Sequence, residues 1–356
     1  MGFYGGEPLI EQKKIFGCIE YIEKNYHEYL PKIQFAMTTN GSLLNQSIIN
    51  KLIKYNFSIL VSLDGPKDIH DRYRRFKNGE GSFDIVMKNL DLIRSIDKEY
   101  YETKVGYSIV IAPPFELERI YEFFSTERLK NNRVILMSGV EDHNTGFLDR
   151  FDMYAESKQL RSQELRLIKQ YKKLLAKCED SPFLENMFFR SLMDIHKRIV
   201  RPIPKALYPN GICLPGIQKT FVDTKGNFHM CEKVGLGFSI GNVHSGFNSE
   251  SIWKIVNEYL GYTKECNDCW CLRLCKLCYA SVIQGPEFSK EKRRLECERR
   301  KKGLETLLQR YVQLSEEFPD LFNKEYHEDT LTLEVFKFID SWHSGHTADS
   351  DRRMQS

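Results

Sequence analysis

A chain of 356 residues exceeds the ~250–300 at which a single hydrophobic core stops growing, so its length implies more than one structural unit. At 41% hydrophobic residues and a mean hydropathy of −0.46, with no apolar run near the ~18 residues of a membrane span, the composition excludes a transmembrane protein. The 52 basic and 49 acidic residues leave a net charge of +3, too balanced to draw the chain to nucleic acid by long-range attraction. The opening Met1-Gly2-Phe3-Tyr4-Gly5-Gly6-Glu7-Pro8 has no positive region followed by an apolar one, so no secretory signal is read and the cytoplasm is the expected location.

The first 140 residues alternate between two periodicities. Phe3-Tyr4 reads as the end of a strand feeding the turn Gly5-Gly6-Glu7-Pro8. Fewer residues precede that turn than the ~5–6 of a typical strand, so the chain is expected to start inside its own fold. Leu9 to Leu30 carries Ile15, Phe16, Ile19 and Ile22 at helical spacing, and Ile33 to Met37 reads as a short buried strand running into Thr38-Thr39-Asn40-Gly41. The cycle repeats with a helix over 44–55, a strand over 58–63 ending in Asp64-Gly65-Pro66, a helix over 83–96 and a strand over 104–111 ending in Pro113-Pro114. A helix over 117–129 and a strand over 134–138 follow. Strands alternating with helices imply right-handed crossovers and a parallel sheet or partial barrel, with ligands at the carboxyl ends of the strands.

Residues 150–206 read as a charged helical bridge with Leu165, Ile168, Tyr171, Leu174 and Leu175 on one stripe, stopped by Pro202 and Pro204. A cysteine-rich region spans 207–300, its basic helix from Lys290 continues to about Leu314, and an amphipathic stretch covers 331–342 within a C-terminal helical part, 301–342. The polar tail 343–356 is expected to be disordered.

Ten cysteines in a chain without an export signal point to metal or redox chemistry, and eight of them lie between Cys213 and Cys297. Residues 219–230 read as a hairpin with Gly226 in its turn, which places Cys231 at the end of the returning strand. Cys266-x2-Cys269-x5-Cys275-x2-Cys278 follows, and then Cys297. Thiolates at such spacings reach one soft metal centre, either tetrahedral zinc or an iron–sulfur cluster. A structural zinc site needs only four cysteines and usually a longer inner loop, so seven or eight fit two clusters better. Zinc stays open as the alternative. Cys18 on an apolar helix face reads as core, and so does Cys178, which has no ligand partner nearby.

These residues carry a family resemblance. The turn Gly5-Gly6-Glu7-Pro8, the strand end Thr39-Asn40-Gly41, the run Ser62-Leu63-Asp64-Gly65-Pro66 with His70-Asp71-Arg72, and Gly81-Ser82-Phe83-Asp84 resemble radical SAM enzymes. The cysteine region is similar to the SPASM domain, and within the family the likeness is to anaerobic sulfatase maturases and thioether-forming peptide maturases. The resemblance implies an α/β fold: a truncated partial (β/α)6 radical SAM barrel over 1–149, then the cysteine-rich SPASM domain and a helical C-terminus. It implies that Gly5, Gly6 and Glu7 contact S-adenosylmethionine, with Ser62, Asn40 and Asp64 lining the same pocket. Two auxiliary [4Fe-4S] clusters follow from it, one on Cys213, Cys231 and Cys278, the other on Cys266, Cys269, Cys275 and Cys297. The implied partners are a peptide or protein substrate and an electron donor such as ferredoxin or flavodoxin, with neither nucleic acid nor membrane.

Glu232 stands where sulfatase maturases carry a general base, although a glutamate on a hairpin end can equally be a solvated residue. Two departures bear on mechanism. The first cluster has three clear ligands, leaving an open iron or closure by the extra Cys271. The family's C-x3-C-x2-C, which precedes the GGEP turn and holds the cluster that cleaves the cofactor, has no counterpart before Gly5. The chain as written is therefore expected not to generate the radical. The competing non-enzymatic expectation is a zinc- or cluster-stabilised scaffold that binds a peptide or protein. The run Ser289 to Lys302 is expected to be a solvated helix of i,i+4 pairs, and Trp270 to shield a cluster.

Overall fold

The computed structural model describes residues 1–132, 135–140, 145–198, 213–217, 219–284 and 287–323. A two-residue β1 (Gly2–Phe3) and a 3-10 turn at Pro8–Glu11 lead into α1 (Gln12–Asn25), β2 (Ala36–Thr39), α2 (Gln46–Lys54) and β3 (Ser58–Ser62). Next come α3 (Lys67–Tyr73), α4 (Phe83–Ile96), α5 (Lys98–Lys104), β4 (Val105–Ile111), α6 (Leu117–Phe124), β5 (Ile135–Gly139) and the long α7 (Met153–Ala176).

All five strands pair in parallel in the order β1-β2-β3-β4-β5. Spatial order equals chain order, so the sheet winds one way, as a barrel does, and has no reversal point of the doubly wound kind. The expected α/β architecture is present, and the five carboxyl ends lie along one edge. The helix-covered face of the central strands is buried: Ile59, Val61, Leu63, Val105, Tyr107 and Ile109 are at most 1% exposed, whereas Leu60, Ser108 and Val110 on the opposite face are only half-buried. Phe57, just before β3, stacks against Phe3 and Phe35 at centroid distances of 6.0 and 5.4 Å, which fixes the open end of the sheet. Tyr107 and Tyr101 share a buried hydrogen bond of 2.8 Å, so neither phenol is left unpaired in the core.

Several boundaries differ from the sequence expectation, among them the helix expected over 117–129, which stops at Phe124. The helix expected over 9–30 stops at Asn25, and the strand expected at Ile33 begins at Ala36. In between, Leu30–Lys32 forms a 3-10 turn with Pro31 in its first positions, where a proline's missing N–H is tolerated.

The described chain divides into two compact units, the first through Arg190 and the second from Ser191. Much of the expected bridge belongs to the first: α7 donates Gln163 Nε2 to the Phe115 carbonyl at 2.7 Å, and its Arg166 pairs with Glu118. Beyond α7 come α8 (Pro182–Leu184), a π-helical turn (Glu185–Phe189) and α9 (Arg190–His196). Pro202 and Pro204 lie outside the described residues, as do 324–356 with the expected amphipathic stretch and tail.

In the second unit β6 (Phe221–Val222), β7 (Asn227–His229), β8 (Ser239–Asn242) and β9 (Gly246–Phe247) form an antiparallel sheet in sequential order. The expected hairpin is its first half, with Gly226 at φ +82° in the turn. Helix α10 (Ser249–Gly261), a loop of 3-10 turns carrying five cysteines, the small hairpin β10 (Ile283–Gln284) with β11 (Glu287–Phe288), and α11 (Lys290–Glu317) complete it. Their shared core is built from Phe238, Ile240, Tyr259, Tyr279, Val282 and Phe288.

Close packing between α3 and α4 explains the glycine before Ser82. Asp71 Oδ1 accepts the Phe83 N–H at 2.9 Å, satisfying a free donor at the start of α4, and a Cβ at Gly81 would lie 2.1 Å from that carboxyl group. Gly81→Ala should expel Asp71 and cost ~1–3 kcal/mol, read as a lower urea midpoint. In an Asp71→Ala background the same substitution should cost much less.

Candidate functional site

At the edge where the strands end, the turn after β1 exposes the backbone of Gly5 and Gly6. Nothing lies within 4 Å of a Cβ built on either, and Gly5 has φ +133°. Their lack of side chains leaves main-chain N–H and C=O groups open to close approach by a ligand. Glu7 does different work. One carboxylate oxygen accepts Thr39 Oγ1 at 2.7 Å and Leu9 N at 3.1 Å, and the other accepts Asn40 N at 2.7 Å. Its side chain thus ties the glycine turn to the end of β2. Asn40 Oδ1 is taken by Ser42, through N at 2.9 Å and Oγ at 2.7 Å, which shapes the loop in a local Asx turn.

Ser62 ends β3 and Asp64 follows it, and the two differ in the same way. Asp64, 6% exposed, receives a two-pronged guanidinium from Arg74 and the Val110 N–H at 2.8 Å. That carboxylate is fully engaged with protein, so it positions the strand end. The hydroxyl of Ser62 has no protein hydrogen-bond partner among the described residues and stays available to a ligand. The His70-Asp71-Arg72 run proves to be scaffolding. His70 Nδ1 accepts the Asp64 N–H at 3.2 Å, and its Nε2 meets Ser82 Oγ at 3.0 Å while that hydroxyl donates to the Arg74 carbonyl. Both contacts require the neutral ring protonated on Nε2.

Burial lowers the His70 pKa to about 4, with Asp64 opposing and Arg74 assisting. The folded value lies below the unfolded 6.5, so the stabilisation is complete above that pH and is lost as pH falls from there toward 4. The loss is at most ~1.4 kcal/mol per pH unit. The urea midpoint should drop between pH 7 and 5 in the native chain and drop less in His70→Gln.

The cysteines of the second unit fall into two sets. Cys266, Cys269, Cys275 and Cys297 line one cavity of ≈ 430 Å³, part of it open to solvent, with Tyr259, Leu277 and Arg300 in its walls. Cys271 lines the same cavity, with its sulfur 3.2 Å from that of Cys269. It stands with this set, which removes the ground for expecting it to close the other. Burial pushes the Cys271 thiol up to about 12 and the Cys297 thiol above its usual range, the latter against the opposing Arg293 charge. A bound metal would hold such thiols deprotonated.

Cys213 lies within the electrostatic reach of Cys231, Cys278, Glu232 and Lys219. Glu232, directly after Cys231, accepts Lys219 Nζ at 2.7 Å. Burial alone would raise its carboxyl pKa, but that hydrogen bond leads the effects that bring it below the usual range. The glutamate is therefore a half-buried, ionised, paired group. Gln218, beside Lys219, lies outside the described residues.

Three expectations about single residues change. Trp270 is 53% exposed and is not among the cavity's lining residues, Cys178 is exposed at φ +56° after α7, and Cys18 is only half-buried. Sequence reading missed Lys219, Arg74 and the inward face of α11. The last was legible, since Arg293, Cys297 and Arg300 recur at i, i+4 and i+7.

Residues 1–126 match the family model of the radical SAM superfamily. Over those residues, about a third of its length, the chain is similar to that superfamily. A cysteine-type anaerobic sulfatase-maturating enzyme of Clostridium novyi (strain NT) is 23% identical over 281 residues, covering 77% of this chain and 71% of the relative. A serine-type anaerobic sulfatase-maturating enzyme of Bacteroides thetaiotaomicron is 31% identical over 122 residues, 34% of this chain and 28% of the relative. Among solved structures, native anSMEcpe with bound AdoMet superposes with a TM-score of 0.63 at 18% identity, covering 88% of this chain and 84% of that one. The fold is thus the α/β radical SAM fold followed by a cysteine-rich region. The radical SAM domain contains the glycine turn, both strand ends and the His70–Ser82 latch.

Proposed function

We propose that this chain serves the S-adenosylmethionine-dependent radical modification of a peptide or protein, with two auxiliary [4Fe-4S] clusters on its cysteine-rich unit. The observation that carries the proposal is the convergence of Cys266, Cys269, Cys275 and Cys297 on one cavity, in a chain whose first 126 residues match the radical SAM superfamily. One relative of partial length is a radical SAM cyclopropyl synthase from Paramaledivibacter caminithermalis, 30% identical over 92 residues. One structural neighbour is anSMEcpe with AdoMet and the Kp18Cys peptide. The peptide in the latter favours a peptide as the substrate class.

The residues fit these groups. For S-adenosylmethionine, Gly5 and Gly6 supply open backbone and Ser62 a free hydroxyl, while Glu7, Asn40 and Asp64 hold the loops that present them. For the clusters, the donor set is thiol-only. The seven thiols of the two sets exceed the four that one tetrahedral zinc takes. A four-iron cluster spreads its thiolates around a wider core. The first cluster would take Cys213, Cys231 and Cys278, with one iron open to a substrate donor. When bound at a cluster of its own, for which none of these seven cysteines is assigned, S-adenosylmethionine would supply the one-electron chemistry that removes a hydrogen atom from substrate. The chain positions the peptide and manages the proton, and an ionised Glu232 beside the first cluster suits a general base. A low-potential carrier such as ferredoxin or flavodoxin would supply the electrons.

Anaerobic reconstitution should give about eight irons and eight sulfides per chain, the sum of two four-iron clusters, with charge-transfer absorbance near ~400 nm. Cys213→Ala and Cys231→Ala should each lose about half of that iron, and Cys275→Ala and Cys297→Ala the other half. Tightly held zinc and a colourless protein would establish the zinc-stabilised scaffold instead. Because either sulfur of the Cys269/Cys271 pair reaches the same point, Cys271→Ala should keep full iron and the double substitution should lose about half of it. Ser62→Ala should weaken S-adenosylmethionine binding about 5- to 10-fold in equilibrium dialysis, the loss of one hydrogen bond.

A further inference from the structure

Helix α11 carries Cys297 between two guanidinium groups that its surface charge pattern conceals. Arg294 and Arg299 pair on the outside with Glu291, Glu298 and Glu296, as the interleaved sequence leads one to expect. Arg293 and Arg300 share the face of Cys297 and are drawn inward. The Arg293 side chain is 13% exposed, its Nη1 donating to Glu265 at 3.1 Å and its Nη2 to the sulfur of Cys266 at 3.4 Å. Arg300 lines the cysteine cavity and donates Nη2 to Ser281 Oγ at 3.2 Å. In both residues the Nε–H is buried with no hydrogen-bond partner.

A buried donor left unpaired is costly, the more so when charged, and a guanidinium cannot escape the cost by losing its proton. Arg300 stands in the cavity wall and Arg293 against the sulfur of Cys266, so the two donors flank a ligand cysteine and match an acceptor that belongs in the cavity. The thiolate and sulfide atoms of an anionic iron–sulfur cluster are acceptors of that kind, and hydrogen bonds to a cluster's sulfurs set its reduction potential. We propose that Arg293 and Arg300 donate to the sulfur atoms of the cluster seated among Cys266, Cys269, Cys275 and Cys297 and raise its reduction potential. This rests on the cluster reading above. The two arginines position charge and donors around the cluster and touch no substrate.

The test is an EPR-monitored redox titration of the anaerobically reconstituted full chain, with iron and sulfide measured on each sample. Arg300→Gln and Arg293→Gln should keep full iron and each make the second cluster harder to reduce. At a fixed ambient potential near the native midpoint, the ratio of reduced to oxidised cluster should fall about tenfold, which for a one-electron couple is ~59 mV. If Arg300→Gln loses iron, Arg300→Lys, which keeps the charge and removes the Nε donor, carries the measurement and should shift in the same direction. Full iron with an unmoved midpoint in the titrated variants would overturn the role of the arginines and leave the cluster reading intact. An unaltered chain that binds no iron would overturn the cluster reading itself.

Discussion

The carboxylate of Asp64 holds the place where the first unit can do chemistry. A parallel sheet satisfies its backbone groups through the ladder and then releases the chain at the carboxyl ends, where N–H groups need other partners. Asp64 takes Val110 N from the neighbouring strand and the guanidinium of Arg74 from beyond α3. Glu7 does the same between the first two strands through Thr39, Asn40 and Leu9. Carboxylates spent on holding loops leave the glycine backbone and the Ser62 hydroxyl as the free groups. Ligand-facing chemistry here belongs to the least conspicuous residues, and the conspicuous charges are its supports.

The second unit solves a different problem, which is to hold thiols that share no regular element. Most of them sit on 3-10 turns and hairpin ends, where backbone geometry alone fixes little. Their positions come from the aromatic floor beneath them. Tyr259 packs on Tyr279 at 4.5 Å and donates its hydroxyl to the Leu277 carbonyl at 3.2 Å, pinning the loop between Cys275 and Cys278. Lys292 Nζ reaches the carbonyl of Ile283 at 2.7 Å and so fixes the start of α11 against the small hairpin. The ligand set is preorganised by packing, and Cys231, Cys275 and Cys297 are themselves packed against that core.

The sequence was most legible where one period ran uninterrupted. Helix α4 matches the expected 83–96, and β3 and β4 differ from expectation by one residue at one end. The short helices α3 and α5 escaped notice because each has too few apolar positions to show a stripe. The buried faces of α3 are Ile69 and His70, and those of α5 are Tyr100 and Tyr101. Motif residues were visible as such, but their division into ligand-facing and structural groups was not, since that depends on which hydrogen bonds a carboxylate has already made. The partition of the cysteines followed from resemblance, and Cys271 joined a set that spacing alone did not assign to it. Arg293 and Arg300 were hidden by their neighbours: a helix dense in Glu and Arg reads as solvated all round, and only packing shows which turns face in.

One ligand comes from a long helix and the others from irregular backbone, and this gives assembly of the cavity an order. The loop cysteines and their aromatic floor precede α11 in the chain and emerge first during N-to-C synthesis. Cys297 lies in the second turn of α11, and with it arrive Arg293, Arg300 and the far wall. The helix is therefore one rigid element that brings a ligand and two cations to the site together.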